Sequence, residues 1–337
     1  MLAGQAAATA PPLRLEARAR RDATWETARS LSLPSPHFGD GWLAYRQAQG
    51  YRPRWLLAFA TPGDTQPCAA GVLWLKRPRF RPWVRPEARL DRLPQAVEGA
   101  RGSIATPIAL AQALLHLARA QRFARLAIDS FDGPWPAPEL AALGFATHER
   151  LEFLLDLTGD EETRMSRIKS SHRRKVRAAE KAGVTVADET GSADIGLLRE
   201  LQGSTQERRV DRGEQMELPD AQQYQRLAAT LVASGGGRLF VGRQDGVAVS
   251  AILCAVERSR AYYLMGGTSA AGFECNAATL VLWRAATLLA ERGLAELNLG
   301  GVPRAAESEG HAEHGLWRFK EGFEPRRVEC CSGTWQR

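Results

Sequence analysis

The feature that most constrains the fold is a succession of α/β elements that occurs twice. In each half an amphipathic helix precedes a buried strand, with the sequences RFARLAID and GLAELNLG, and then come a short helix, a Gly-Phe pair and a final strand. The helices span 107–121 and 277–292, and the pairs are Gly144-Phe145 and Gly322-Phe323. A repeated unit of ~150 residues indicates a duplicated domain. The 337 residues are enough for two separate cores.

We therefore predict a mixed α/β (α+β) fold of two tandem domains, each a mixed twisted sheet flanked by helices. The expected divisions are a flexible tail at 1–20, an N-terminal domain at 21–158 and a C-terminal domain at 159–337. With 44% hydrophobic and 25% charged residues, the composition excludes collagen, coiled-coil rods and wholly disordered chains. The sequence has no apolar run of roughly 18 residues and no secretory signal, which predicts a cytoplasmic protein without an integral membrane segment.

The excess positive charge is confined to one segment. The window 164–181 reads RMSRIKSSHRRKVRAAEK and holds eight basic residues against Glu180 alone. The net charge of the whole chain is +7, so the remainder, with 37 basic and 37 acidic residues, is neutral. A local concentration of this kind suits a polyphosphate, a nucleic-acid backbone or an anionic lipid surface. Peripheral contact with a membrane therefore stays open, as does a solvated face that only aids solubility.

The basic window has the periodicity of a helix that opens the second domain. Apolar positions and one histidine form a single stripe, made of Met165, Ile168, His172, Val176 and Ala179. We assign His172 to this stripe rather than to catalysis. The residues predicted to bind an anion or RNA lie on the other faces, and they are Arg173, Arg174, Lys175 and Arg177.

The C-terminal half carries the motifs of a known family. They are Tyr263 with Gly266-Gly267-Thr268, a helix with Trp283, a strand ending Asn298-Leu299-Gly300-Gly301, the run Phe319-Lys320-Glu321-Gly322-Phe323, and the basic stretch RRKVRAAEKAGV. Over residues 164–327 the chain resembles the FemABX family, which transfers amino acids from aminoacyl-tRNA to peptidoglycan precursors. It is equally similar to the broader FemAB-like branch of the GNAT superfamily, associated with polysaccharide or envelope biosynthesis.

The resemblance implies two GNAT-like domains and several site residues. Phe319 and Lys320 match family residues near the 3′ end of the donor, where the lysine faces a phosphate. A fixed positive charge also suits the oxyanion that forms during acyl transfer. Asp129, which ends a strand of the first half, is expected to accept a proton from the attacking amine; the alternative is a turn capped by its carboxylate.

Further residues are expected to bind substrate. Tyr263 is assigned to the acceptor site, Arg304 to a phosphate, and Gly266, Gly267 and Thr268 to a loop between a strand and a helix, where N–H groups bind anions. This loop lacks the Q/R-x-x-G-x-G/A pattern that binds coenzyme A in ordinary GNAT acetyltransferases. His311 and His314 have no evident third ligand, so no metal is expected.

Three functions remain open on the sequence. The first is an acyl- or aminoacyltransferase, without a metal, that modifies an amine of a peptidoglycan-like or polysaccharide precursor. The second is a CoA-dependent N-acyltransferase acting on a sugar or small amine, and the third is a non-catalytic double-GNAT scaffold. No cofactor is assigned, and the donor is either aminoacyl-tRNA, which makes tRNA a candidate partner, or acyl-CoA.

Overall fold

The computed structural model describes residues 13–77, 83–99, 107–133, 135, 137–192, 194–211 and 221–337. Within them the chain forms two compact units, neither of which is one continuous stretch of sequence. Unit 1 contains residues up to 33, residues 50–148 and residues 331–337, and unit 2 contains 34–49 and 149–330. A single boundary between 158 and 159 stays a prediction about domains.

Alternating apolar residues and helical periodicity produce the predicted mixture of strands and helices. The strands are β1 (Arg14–Arg18), β2 (Arg52–Phe59), β3 (Ala69–Lys76), β4 (Glu87–Leu90), β5 (Gln95–Ala96), β6 (Arg125–Asp129), β7 (Ala146–Asp156), β8 (Thr185–Asp188), β9 (Gly237–Gln244), β10 (Val247–Glu257), β11 (Arg260–Thr268), β12 (Glu296–Pro303) and β13 (Arg326–Gln336). The helices are α1 (Ala23–Ser30), α2 (Asp40–Ala48), α3 (Pro107–Ala120), α4 (Ala137–Ala142), α5 (Glu161–Arg167), α6 (Ser170–Lys181), α7 (Ile195–Asp211), α8 (Ala221–Ala233), α9 (Ala270–Glu274), α10 (Ala277–Glu291) and α11 (His314–Glu321). The mixed α/β class is confirmed.

Unit 1 holds a sheet in the order β1-β2-β3-β4-β6-β13, with β5 paired to β3. Neighbouring strands of this sheet are antiparallel, except that β4 and β6 run parallel and are joined through α3. The expected tail at 1–20 has to be shortened, because residues 14–18 form β1 and pair with residues 55–59. Leu15 and Ala17 pack against the core of the unit, and this apolar burial holds the segment in place. Residues 1–12 lie outside the described residues.

Unit 2 repeats the same arrangement. Its sheet runs β7-β12-β11-β10-β9-β8, again antiparallel except for one parallel pair, β11 and β12, joined through α10. The two sequences that revealed the repeat, RLAID and ELNLG, are the second strands of the two parallel pairs. The duplication expected from the sequence therefore appears as a repeated β-helix-β connection, and α10 supplies much of the core of unit 2.

The basic window is two helices rather than one. Helix α5 ends at Arg167, Ile168 adopts an extended conformation, and α6 begins at Ser170. The break has a distant cause, because the backbone N–H of Lys169 donates to the carbonyl of Gly322 instead of continuing α5. The predicted stripe is nonetheless correct for α6, since His172, Val176 and Ala179 are its buried residues.

Candidate functional site

A cavity of about 1030 Å³ lies in unit 2 along the second half of β11. The parallel ladder between β11 and β12 covers only residues 260–262 of β11, and the cavity wall begins at Tyr263, where that ladder has ended. The other walls come from α6, α7, α10 and α11. A sheet whose parallel strands separate in this way leaves a cleft between secondary-structure elements, which is a usual place for a ligand.

The predicted glycine-threonine segment lines this cavity, but it is the end of a strand and not a loop. Residues 266–268 continue β11 and pair with β10. Gly267 is required because α7 passes so closely that a β-carbon would lie 2.4 Å from the backbone nitrogen of Gln202. Thr268 connects β11 to both α7 and β10. Its N–H donates to Thr205 Oγ1 on α7 at 2.9 Å, and its hydroxyl forms a hydrogen bond of 2.9 Å with Ser250 Oγ on β10.

The cavity is lined by more positive than negative charge. Four of its lining side chains are cations, Lys169, Lys175, Arg208 and Arg318, and one is a carboxylate, Glu321. Lys169 lies 3.5 Å from Glu321, and Arg208 donates to the carbonyls of Thr268 and Ser269 at 2.8 Å each. Among the described residues Lys175 and Arg318 form no ion pair. Such a wall favours an anionic ligand.

Glu321 does not cancel this charge by protonation. Burial alone would raise the pKa of its carboxyl group. The ion pairs with Arg327 and Lys169 outweigh burial and hold that pKa below its ordinary value. Glu321 is therefore a fixed anion that neutralises part of the Lys169 charge, while Lys175 and Arg318 remain available.

His172 combines burial, a fixed tautomer and an unused nitrogen. The side chain is 4% exposed and lines the cavity, and its Nε2 lies 3.0 Å from the carbonyl oxygen of Phe319. Its Nδ1 is buried and has no hydrogen-bond partner in the described part of the chain. Burial lowers the pKa of the imidazole, the bond to Phe319 opposes this, and Lys175 and Lys169 lower it further. The ring is therefore neutral near pH 7.

Two more cavity residues carry buried polar atoms without a partner among the residues that the structure describes. They are the Oε1 of Gln202, on α7, and the indole N–H of Trp317, on α11. Buried polar groups are nearly always hydrogen-bonded in native proteins, so three such atoms around one cavity require an explanation. A bound ligand or ordered water that bonds these atoms would supply it.

Lys320 lies at the end of the β11-β12 pair and does not line the cavity. Its side chain is 6% exposed, and its amine donates to the carbonyl of Gly301 at 3.0 Å and lies 5.6 Å from the centre of the Phe153 ring. A β-carbon added at Gly300 would lie 3.6 Å from both Lys320 Nζ and the Tyr262 hydroxyl oxygen. The amine and the phenol therefore converge where β11 and β12 separate.

A buried polar cluster surrounds the same point. Asn298 donates to Glu152 at 2.8 Å and accepts from the N–H of Gly300 at 2.7 Å, and Arg150 pairs with Glu152 at 2.6 Å. Glu152 and Asn298 are almost fully buried. These bonds fix the turn at Gly300-Gly301. Because the carbonyl of Gly301 accepts a hydrogen bond from the Lys320 amine, the same cluster also holds Lys320 in one position.

Two predicted residues lie elsewhere. Asp129 belongs to unit 1, at the end of β6, where its carboxylate accepts a hydrogen bond from the N–H of Phe131 at 2.9 Å. This is the turn-capping contact that the sequence offered as an alternative to catalysis. Arg304 is exposed and pairs with Glu329 at 3.1 Å, outside the cavity lining. Their roles in catalysis and phosphate binding stay predictions.

The basic residues of α5 and α6 fall into two groups. Arg164 and Arg173 donate to backbone carbonyls around α5, and Arg167 pairs with Asp156, so these three stabilise local structure. The exposed side chains that form no ion pair among the described residues are Arg174, Lys175, Arg177 and Lys181. Of the four residues predicted to bind anions, Arg173 therefore has a structural task and Lys175 lines the cavity.

The described residues contain no group of three or more histidine, cysteine, aspartate or glutamate side chains placed to hold a metal ion. Within the same residues no helix has the length and apolarity required to cross a membrane.

Comparison with known proteins identifies the part of the chain that bears this cavity. Residues 166–320 match the family model of the acetyltransferase (GNAT) domain. None of the curated proteins matches the chain in sequence. The match lies within unit 2, and it includes β11 with Tyr263, the cation-lined cavity and Lys320.

Solved structures resemble the chain in fold. FemX is 17% identical, with a TM-score of 0.65, and the alignment covers 91% of this chain and 94% of FemX. A tandem GNAT protein from the clavulanic acid biosynthesis pathway is 16% identical, with a TM-score of 0.52 and coverages of 96% and 98%. The C-terminal domain of a lysylphosphatidylglycerol synthetase from Agrobacterium fabrum is 14% identical, with a TM-score of 0.51 and coverages of 93% and 92%. Residues 166–320 therefore match a GNAT domain, and the chain as a whole has the fold of FemX.

The structure brings together some of the predicted residues and adds others. Tyr263, Gly266, Gly267, Thr268, Phe319 and Lys175 all line the one cavity. Sequence reasoning missed Gln202 and Arg208, which lie on α7, a helix without a distinctive motif, and Trp317, which precedes the motif of α11. It assigned His172 only to packing. No sequence signal separates these side chains from ordinary helix residues. The hydroxyl of Tyr262, next to the chosen Tyr263, lies beside Gly300, as does the amine of Lys320.

Proposed function

We propose that this protein transfers an acyl or aminoacyl group from a phosphate-bearing donor to an amine of a cell-envelope precursor in the cytoplasm. The precursor is peptidoglycan-like or a polysaccharide, and no metal takes part. The GNAT domain and the FemAB-like fold support the reaction class. The observation that carries the proposal is the cation-lined cavity beside β11, which we assign to the donor.

The charges of the cavity suit a phosphate group. Lys175 and Arg318 form no ion pair in the described part of the chain, so a ligand phosphate meets them without displacing a protein carboxylate. Arg208 is held by two backbone carbonyls and lies 5.0 Å from the centre of the Phe273 ring, which keeps its charge at the wall. Aminoacyl-tRNA and acyl-CoA both carry such phosphates, and the cavity volume accommodates a terminal nucleotide or a pantetheine arm.

The reaction needs one bond made and one broken. The acceptor amine attacks the carbonyl carbon of the donor, a C–N bond forms, and the carbon's bond to the donor oxygen or sulfur breaks. The amine loses its proton to a base, and that proton then passes to the leaving group. Negative charge develops on the carbonyl oxygen, and a positioned cation stabilises it. In this proposal the amine of Lys320 supplies that charge or holds a donor phosphate.

Three further assignments belong to this proposal. Tyr263 lines the cavity and contributes to the acceptor side, where the acceptor amine meets the donor carbonyl. Asp129 accepts a proton from the attacking amine, and Arg304 binds a substrate phosphate.

A titration tests the donor assignment. Purified protein is mixed with mixed tRNA at two salt concentrations, with coenzyme A as the competitor. Salt-sensitive tRNA binding that coenzyme A does not displace supports the aminoacyl-tRNA donor and gives Arg174, Arg177 and Lys181 a role on the RNA backbone. Coenzyme A binding without tRNA affinity supports the CoA-dependent N-acyltransferase. Binding of neither, with no transfer from any donor, would contradict the proposal and favour a non-catalytic scaffold.

A further inference from the structure

We propose that His172 and Gln202 are donor-binding residues, and that they accept hydrogen bonds from N–H or O–H groups of the part of the donor that occupies the cavity. The inference rests on the proposed function, because it takes the cavity as the donor site. It assigns to His172 a task beyond the packing role that its place in the helical stripe suggests.

The tautomer of His172 follows from its partner. The carbonyl oxygen of Phe319 can only accept a hydrogen bond, so Nε2 must carry the proton that bridges the 3.0 Å between them. In a neutral imidazole the other nitrogen is then an acceptor with a free lone pair. That nitrogen, Nδ1, is buried and unpartnered among the described residues, in a ring that lines the cavity.

The ring cannot satisfy Nδ1 by taking a second proton at neutral pH. Burial opposes the charged form, and so do the positive charges of Lys169 and Lys175. The one carboxylate among the cavity-lining residues, Glu321, is engaged by Lys169 and Arg327. An acceptor that stays neutral among cations, and that has no partner among the described residues, is available to a hydrogen-bond donor of a ligand.

Gln202 presents a second unsatisfied atom. The side chain is 7% exposed, and its Oε1 is buried without a partner in the part of the chain that the structure describes. The backbone nitrogen of Gln202 lies against Gly267, which places the residue beside the wall formed by β11.

The three unsatisfied atoms together define a class of ligand. His172 and Gln202 require N–H or O–H groups, Trp317 requires an oxygen or nitrogen acceptor, and Lys175 and Arg318 require negative charge. A phosphate-bearing molecule whose reactive arm carries hydroxyl or amide groups meets all of these requirements. An acyl chain of hydrocarbon alone meets none, because it would leave the three polar atoms buried and unbonded.

The experiment measures binding of two probes, coenzyme A and the CCA trinucleotide of the tRNA 3′ end. In His172→Phe an aromatic ring of similar size is kept, and both nitrogens, including the Nδ1 acceptor, are removed. We expect this variant to bind the active probe about 10-fold more weakly, as does Gln202→Leu, which removes one hydrogen bond. His116→Phe, on an exposed position of α3, is the matched control and should bind as the unchanged protein does.

A spectroscopic measurement on the unchanged protein covers the case in which a variant fails to fold. With 15N-labelled histidine, the Nδ1 resonance of His172 should shift when the probe binds, as expected for a free acceptor that becomes hydrogen-bonded. A bound probe that leaves this resonance in place, or a folded His172→Phe with unchanged affinity, overturns the inference and leaves the proposed function standing. Absence of binding by both probes overturns the donor assignment and this inference together.

Discussion

Gly322 is the residue whose replacement tests the site geometry most sharply. A β-carbon added there would lie 1.9 Å from Cε1, 2.1 Å from Nε2 and 2.2 Å from Nδ1 of His172. Its backbone φ of −62° is allowed for alanine, so the conflict in Gly322→Ala is contact and not backbone conformation. The imidazole ring must move, although Phe323 packs edge-on against it with the ring centres 4.9 Å apart.

The expected cost follows from what the moving ring loses. Overpacking of a filled interior costs about 1–3 kcal/mol. Loss of the bond to the Phe319 carbonyl adds about 1 kcal/mol. In the other direction, alanine gives the unfolded chain fewer conformations than glycine does, which stabilises the folded protein by about 0.4–1 kcal/mol. We therefore expect Gly322→Ala to lower the free energy of unfolding by about 1–3.5 kcal/mol, a decrease of roughly 2–14 °C in the melting temperature of unit 2.

The assay is urea or thermal unfolding with two comparisons. Gly315→Ala lies in the same helix, α11, at an exposed position with open space around the β-carbon, so it should be neutral or up to about 1 kcal/mol more stable. In a His172→Ala background Gly322→Ala should cost far less, because the opposing ring is absent. A Gly322→Ala protein as stable as the unchanged one, or a loss of stability that is the same in the His172→Ala background, would show that the His172 ring does not exclude a side chain at Gly322.

Three further predictions concern Lys320, the pH dependence of stability and the basic residues of α6. Lys320→Ala should reduce turnover about 100-fold or more while the protein still folds, because a positioned positive charge is lost. Near-normal activity of this variant in a transfer assay would contradict the catalytic role assigned to Lys320. Stability to urea should fall as the pH drops below 6.5, because the unfolded chain protonates His172 before the folded one does, and His172→Gln should flatten this part of the profile. Arg173→Ala should lower the free energy of unfolding by about 1 kcal/mol, because the side chain loses its hydrogen bonds to backbone carbonyls. Arg177→Ala should change the free energy of unfolding by no more than about 0.5 kcal/mol. With a tRNA donor, Arg177→Ala should also reduce the slope of log K against the log of the salt concentration by about 1.

Periodic features were predictable, because they depend on residues close together in sequence. The stripe of α6 and the repeated strand sequences both follow from side chains at regular spacing, and both appear in the structure. The break at Ile168-Lys169 was not predictable, since it depends on a bond from Lys169 to Gly322, more than 150 residues away. Tertiary contacts of this kind override local helix propensity.

The two Gly-Phe pairs show the same limit. Both glycines end a short helix, and the sequence treats them alike. Gly144 has a φ of +88°, which favours glycine for conformational reasons, whereas Gly322 is glycine because the His172 ring leaves no room for a side chain. Sequence alone gives the position of such a residue in a repeat but does not distinguish these two causes, and only the second concerns the cavity.

The central claim is that the cavity beside β11 holds the donor, and filling it is the most direct test. Ala278→Trp places a large ring at the cavity wall on α10, and Ala178→Trp, on the exposed face of α6 outside the cavity lining, is its control. Equilibrium binding of coenzyme A and of the CCA trinucleotide is measured for both variants and the unchanged protein, with unfolding curves to confirm that each is folded. If the cavity holds the donor, Ala278→Trp abolishes binding of the active probe and Ala178→Trp retains it. Unchanged binding in a folded Ala278→Trp protein would show that the donor site lies elsewhere.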